Sequence, residues 1–312
     1  MADERGDPSS LPTFRSSVSE VRITFFATDE NNRPLEAVTK SDFAVVDNEL
    51  VVRNFRSFTH SNESSLEVVV LVDLSESVAP RVRTEISDVL QLLARERAIP
   101  DNNISVVSFG GASESDARSG VQPAVLCTDG CRASDSVARL LAVKSGGATP
   151  LFDALILAAD FISNHRRASG RNDVRPVLLL FSDGCDTLSM HSANEALQAA
   201  LNAGALIYSV DMAQNPTAGT TFLRQVSMAT GGRYFPLTRP NAPENDATAV
   251  LSAVLDDLRA SYVVTYDLPS HQAGFHSLRL LPTHNLKLTF HSRGGYIYDP
   301  AISNWETVIK KP

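Results

Sequence analysis

The sequence predicts an α/β chain: a doubly wound, mainly parallel sheet flanked by helices, with a small β-sandwich-like domain built from the N- and C-terminal strands. Three observations carry this. Val68–Val72 and Val177–Phe181 are uninterrupted apolar runs, the mark of strands covered on both faces in a parallel sheet. Between residues 66 and 260 such strands alternate with helical patterns, which implies βαβ units. Outside that span the segments are short, alternating and separated by turn signals. The 312 residues suit one large domain and a smaller one, and 43% hydrophobic with 21% charged residues is ordinary for a globular chain.

Residues 1–17, rich in Ser, Pro and charge, are expected to form a flexible tail. An N-terminal β segment covers 18–60, with strands at Val21–Ala27, Phe43–Val46 and Val51–Phe55 and a turn at Asn31–Pro34. The α/β domain covers 66–260. After Val68–Val72 comes a helix with Val82, Ile86, Val89, Leu90 and Leu93 on one face, stopped at Ile99-Pro100. Ile104–Phe109 is the next strand, Leu151–Ala159 a mostly buried helix, and Val177–Phe181 the second doubly covered strand. Ser192 and Glu195 form a capping box whose helix ends near Gly204. Leu206–Val210 is a strand, Phe222–Met228 a helix ending at Gly231-Gly232, and residues 246–259 a last helix. The C-terminal β segment covers 261–312, with strands at Tyr262–Tyr266, Ser277–Leu281 and Leu286–Phe290. It is expected to pack with 18–60.

A net charge of −8 does not steer the chain toward nucleic acid. No apolar run is long enough to span a membrane, and Met1–Pro8 lacks the apolar core of a secretory signal. Cys127 and Cys131 flank a Thr-Asp-Gly turn. They read equally as a disulfide closing a small loop, worth roughly 2 kcal/mol, or as two reduced thiols. Four ligands with zinc-site spacing are not found, and Cys185 has no local partner.

Chemistry concentrates at the C-terminal ends of the buried strands, where doubly wound sheets bind ligands. Asp73-Leu-Ser75-Glu-Ser77 follows the first strand, Gly146-Gly-Ala-Thr149-Pro150 precedes the buried helix, and Ser182-Asp183-Gly184 follows the second strand. Each has a plainer reading: Ser77 or Thr149 as a helix cap, Ser182–Gly184 as a turn. Their conjunction in order points to a metal site of Asp73, Ser75, Ser77, Thr149 and Asp183. Hydroxyls and carboxylates without imidazole or thiolate select Mg²⁺, Mn²⁺ or Ca²⁺. Neutral hydroxyls leave such an ion short of negative charge, so an outside carboxylate is attracted to an open position.

At these residues the chain resembles the von Willebrand factor A family and its metal-ion-dependent adhesion site, an open, Rossmann-like α/β fold. The resemblance implies direct contacts to the ion from Ser75, Ser77 and Thr149, and contacts through water from Asp73 and Asp183. Lys40–Val45, Arg53–Phe55, Leu258–Tyr266 and Arg293–Tyr296 are similar to the flanks of the bacterial VWFA-related proteins abundant in Acidobacteria. That subgroup usually carries an export signal, so the resemblance implies an extracytoplasmic place although Met1–Pro8 carries none.

The first functional expectation is therefore a divalent-cation-dependent protein-binding or adhesion module, not an enzyme, whose protein partner offers an Asp or Glu carboxylate. A metal-assisted hydrolase is the alternative, with Asp186 or Glu76 as base. A structural domain of an envelope assembly with a stabilising ion is the third. No phosphate loop, dinucleotide turn or nucleophile elbow is present. His271, His276, His284 and His291 are irregularly spaced and expected to be exposed or at edges. Phe152, Phe161 and Phe181 are expected in the core.

Overall fold

The computed structural model describes residues 20–61, 66–83, 86–87, 90, 99, 103–111, 123–128, 130–169, 174–213, 217–236 and 247–300. Four strands come first: β1 (Glu20–Thr28), β2 (Phe43–Asp47), β3 (Leu50–Val52) and β4 (Ser57–His60). The α/β part then runs β5 (Leu66–Asp73), β6 (Ile104–Phe109), β7 (Ala124–Thr128), α1 (Ser134–Leu141), α2 (Leu151–Ser169), β8 (Arg175–Ser182), α3 (Ala193–Ala203), β9 (Leu206–Asp211), α4 (Ala218–Thr230), β10 (Tyr234–Pro236) and α5 (Ala247–Arg259). It closes with β11 (Tyr262–Asp267), β12 (Gly274–Pro282), β13 (Thr289–Ser292) and β14 (Gly295–Tyr298).

The six-stranded sheet has the order β10-β9-β8-β5-β6-β7. Every pairing is parallel except β6 with β7. β5 is central, and its apolar run is explained by cover on both faces. Val68, Val70 and Val72 pack with Val82 of the helical segment at residues 79–83 and with Val254 and Leu258 of α5. Val69 and Leu71 pack with Leu151, Leu155 and Ala158 of α2. Because β5 and β8 end side by side, their C-terminal loops share one end of the sheet. Local signals set the helix ends. The Ser192–Glu195 capping box opens α3, and Gly204, with φ of 65°, closes it in the left-handed region where glycine is unhindered. A second box, Thr217 with Thr220, opens α4.

The terminal strands do pair with one another. They form two antiparallel four-stranded sheets, β13-β1-β11-β4 and β14-β12-β2-β3. Between them lies an aromatic-rich core of Phe25, Phe43, Val45, Tyr262, Tyr266 and Leu278. The ring centroids of Phe25 and Phe43 are 4.8 Å apart. This β-domain is tied to the end of α4. The Gly294 amide donates to the Ala229 carbonyl (2.7 Å), and a Cβ on Gly231 would lie 2.5 Å from the Ser292 carbonyl carbon.

Several expectations are corrected. β4, β7 and β14 were not anticipated, and the strand expected at Val51–Phe55 spans only Leu50–Val52. The strand expected at Leu286–Phe290 starts at Thr289. Asn285 turns the chain instead, its carbonyl accepting from Leu288 N (3.1 Å) and its side chain from Lys287 N (3.2 Å). His276 is buried rather than exposed, with Nδ1 3.4 Å from Asp47 and Nε2 2.8 Å from the Gln272 carbonyl. The histidine was misread because its burial depends on the partner sheet. Phe181 is buried as expected on one face of the sheet, and Phe152 and Phe161 pack partly buried against the core on the other face. Val89, Leu93, Pro100 and the 1–17 tail lie outside the described residues.

Candidate metal centre

Three loops meet at the C-terminal end of β5 and β8. The loop after β5 is bound to the 146–149 loop: Gly146 N donates to Leu74 O (2.7 Å) and Glu76 N to Gly147 O (3.5 Å). Gly110, at the end of β6, has φ of 71° and a virtual Cβ 2.8 Å from Ser75 N. Only glycine leaves the backbone room here. The 146–149 loop is in turn bound to the loop after β8. Thr149 N donates to Thr187 Oγ1 (2.8 Å), and Thr187 N donates back to Thr149 O (2.9 Å). The loops after β8 and β5 are joined through Ser182, whose Oγ donates to Asp73 Oδ2 (2.7 Å). The structure thus places the loops that carry Asp73, Ser75, Ser77, Thr149 and Asp183 at one sheet end, mutually hydrogen-bonded.

Asp73 is fully buried. Its Oδ1 accepts from Ser75 N (2.8 Å) while Oδ2 is held by Ser182. Burial pushes its carboxyl up to about 6; the bonds from Ser75 and Ser182 oppose this, and the nearby Asp183 charge adds to it. Asp183 Oδ1 accepts from Cys185 N (3.0 Å). The Ser75 and Ser77 hydroxyls face one another at 3.2 Å. Ser75 makes no side-chain cap to the short 3₁₀ turn Glu76–Val78. Thr149 is not the cap of α2 either. That helix is capped from outside, Phe152 N donating to Asp186 Oδ2 (3.1 Å) and Asp153 N to Ser189 Oγ (3.1 Å).

The donor set can be tested against a cation. Octahedral Mg²⁺ with oxygens at ~2.1 Å requires neighbouring ligands roughly 3 Å apart. The Ser75–Ser77 separation matches that edge, and both Asp73 oxygens are already engaged in hydrogen bonds. Among the described residues no group of three His, Cys, Asp or Glu could hold a metal, so a zinc-type centre finds no alternative location there.

Sequence reasoning named Ser182 and Asp186 without the roles that the structure gives them, and did not single out Ser189. Ser182, buried and beside Asp183, anchors Asp73. Asp186, considered as a base, spends its carboxylate on structure: Oδ1 accepts from Ser189 N (3.2 Å), and Oδ2 from Ser189 Oγ (2.5 Å) and Phe152 N. No local pattern announces these bonds, because the donors lie on other segments. Gly219 was also unremarked, and Gly184 was read only as part of a turn. A Cβ on Gly184 would sit 2.3 Å from the Gly219 carbonyl oxygen, so the loop after β8 and the first turn of α4 touch through backbone alone. Cys127 and Cys131 form a disulfide, one of the two readings left open by the sequence. Cys185 lies beside the site with its Sγ 3.9 Å from Thr217 Oγ1.

Residues 67–245 match the von Willebrand factor type A domain. No curated protein matches the chain. Among solved structures, manganese-loaded TRAP protein of Plasmodium vivax is 16% identical with a TM-score of 0.45, covering 81% of this chain and 98% of that one. A von Willebrand factor type A protein of Catenulispora acidiphila is 12% identical with a TM-score of 0.44, covering 93% and 77%. Proximal thread matrix protein 1 of the mussel byssus, with zinc in its MIDAS motif, is 14% identical with a TM-score of 0.43, covering 63% of this chain and 48% of that one. With more than half of its residues matched, and with the mainly parallel sheet and converging loops described above, the chain belongs to the von Willebrand factor type A domain family.

Proposed function

We propose that this chain is a divalent-cation-dependent protein-binding module. Ser75, Ser77 and Thr149 hold a Mg²⁺- or Mn²⁺-class ion directly, Asp73 and Asp183 hold its waters, and a partner's Asp or Glu carboxylate completes the shell. The carrying observation is the Ser75–Ser77 hydroxyl pair at 3.2 Å beside an Asp73 whose oxygens are both occupied. Neutral ligands leave the ion electrophilic, so an anionic oxygen from outside is favoured at the open position. Metals named at two structural neighbours, manganese and zinc, are in keeping with a divalent ion.

A hydrolytic reading needs a base near the ion. Asp186, the first candidate, is spent on Ser189 and Phe152. Phosphoester turnover with added Mg²⁺ would overturn the binding reading. We further propose an extracytoplasmic setting, supported by the Cys127–Cys131 disulfide, which persists in oxidising compartments. Among the described residues no helix is long and apolar enough to cross a membrane.

The test is calorimetric titration of Mg²⁺ and Mn²⁺ into the wild type, Asp73→Ala and Thr149→Ala. Saturable binding lost in both variants is expected. Binding that survives both substitutions would refute the site.

A further inference from the structure

The segment from Thr187 to His191 begins at the metal centre, since Thr187 is doubly hydrogen-bonded to Thr149. Its backbone is then fastened at three successive residues. Ser189 N is bound by Asp186 Oδ1 (3.2 Å), Met190 N by Asp153 Oδ2 (3.0 Å) and His191 N by Asp153 Oδ1 (3.1 Å). The His191 ring adds a bond of its own to Asp153 (2.8 Å). Two carboxylates thereby clamp the segment onto the first turn of α2.

What this clamped segment presents is apolar. Met190 is 91% exposed and Leu188 is 42% exposed. A well-fastened loop that turns its two apolar side chains to solvent beside a site for an outside carboxylate is preorganised for contact, with little left to order on binding. Methionine suits this, since its thioether stem adapts to differently shaped surfaces.

Resting on the cation-binding reading above, we propose that Leu188 and Met190 form the selectivity platform of that site. The partner's coordinating Asp or Glu is immediately flanked by a bulky apolar side chain that packs on them. The carboxylate supplies the cation dependence. The apolar neighbour supplies discrimination among acidic segments.

The probe is a displayed library of disulfide-closed peptides with a fixed central Asp or Glu, selected on the full chain in Mn²⁺ and counter-selected in chelator. Enrichment of bulky apolar residues next to the acid is expected. Selected peptides should bind Leu188→Ser/Met190→Ser roughly tenfold or more weakly, with Mn²⁺ titration of that variant unchanged. Leu286→Ser, an exposed apolar residue of the β-domain, should bind them as the wild type does. Cation-dependent peptides without an apolar neighbour, or equal binding to the double variant, would overturn the platform while leaving the metal reading intact. Absence of any cation-dependent peptide together with absence of Mn²⁺ binding would overturn both.

Discussion

Two buried aspartates, Asp73 in the α/β part and Asp47 in the β-domain, have the same exposure and opposite surroundings. Asp47 is enclosed by large side chains: Tyr266 and Tyr296 each donate a hydroxyl at 2.8 Å, and the His276 ring lies 3.4 Å away. Burial and the Asp47 charge push both tyrosine hydroxyls far above their usual range, so they remain donors. Asp73 is held instead by a backbone amide and a serine, at the end of the sheet where three loops converge. A buried carboxylate therefore does not identify a site. Small neighbours and hydroxyls at a strand end are what distinguish the surroundings of Asp73.

The comparison can be broken by substitution. Asp47→Ala leaves two buried hydroxyls and a ring without their acceptor, and is expected to cost about 3–5 kcal/mol in denaturant unfolding. Mn²⁺ affinity of the folded fraction should be unchanged. A loss of metal binding at unchanged stability would show that the two centres are not separate.

The β-domain also carries an acid sensitivity that the metal site does not require. His291 stacks on Phe26 with ring centroids 4.5 Å apart and hydrogen-bonds Thr28 (2.9 Å). Burial first, then the Arg233 charge, lower its pKa from 6.5 to about 4. The unfolded chain takes up this proton below pH 6.5, whereas the folded chain resists until about 4. Stability present above 6.5 is thus lost as pH falls through that window, by up to roughly 3 kcal/mol. His291→Gln should flatten the pH dependence of unfolding between 6.5 and 4; an unaltered profile would refute the assignment.

For the α/β part, saturating cation should stabilise the wild type by about 2.7 kcal/mol at a hundred times its dissociation constant. Ser75→Ala should abolish that gain in thermal unfolding while changing the metal-free protein little. A smaller effect is expected of Asp186→Ala. Loss of the external cap of α2 should cost about 1–2 kcal/mol, and cation affinity should fall modestly because the clamp around Thr149 loosens. If affinity is unchanged, the 186–191 segment is uncoupled from the metal loops.

That the loops carrying the five candidate residues lie at one sheet end was legible because strand periodicity locates strand ends, and strand ends locate ligand loops. The bonds made by Ser182, Asp186 and Ser189 were not, since each acts on a residue 34 to 109 positions away, and such bonds leave no local pattern. The same division runs through the fold. Continuous apolar runs and capping boxes fixed β5, β8 and α3 locally. β7 and β14 are edge strands whose pattern is weak because only one side is paired.

By itself, then, the amino-acid sequence determined the alternation of elements, the two doubly buried strands, the helix caps and the hydroxyl-rich loops. These are decided by interactions within a few residues and by hydrophobic period. Only the tertiary structure decided the strand order and aromatic core of the β-domain that the sequence expected from the two terminal segments, that His276 is buried against Asp47, that Asp186 caps a helix, and that Cys127 and Cys131 are joined. Except for the disulfide, whose cysteines are four residues apart and whose joining depends on a buried setting and an oxidising compartment, each of those outcomes rests on groups distant in sequence meeting at hydrogen-bonding range, which chain order alone does not specify.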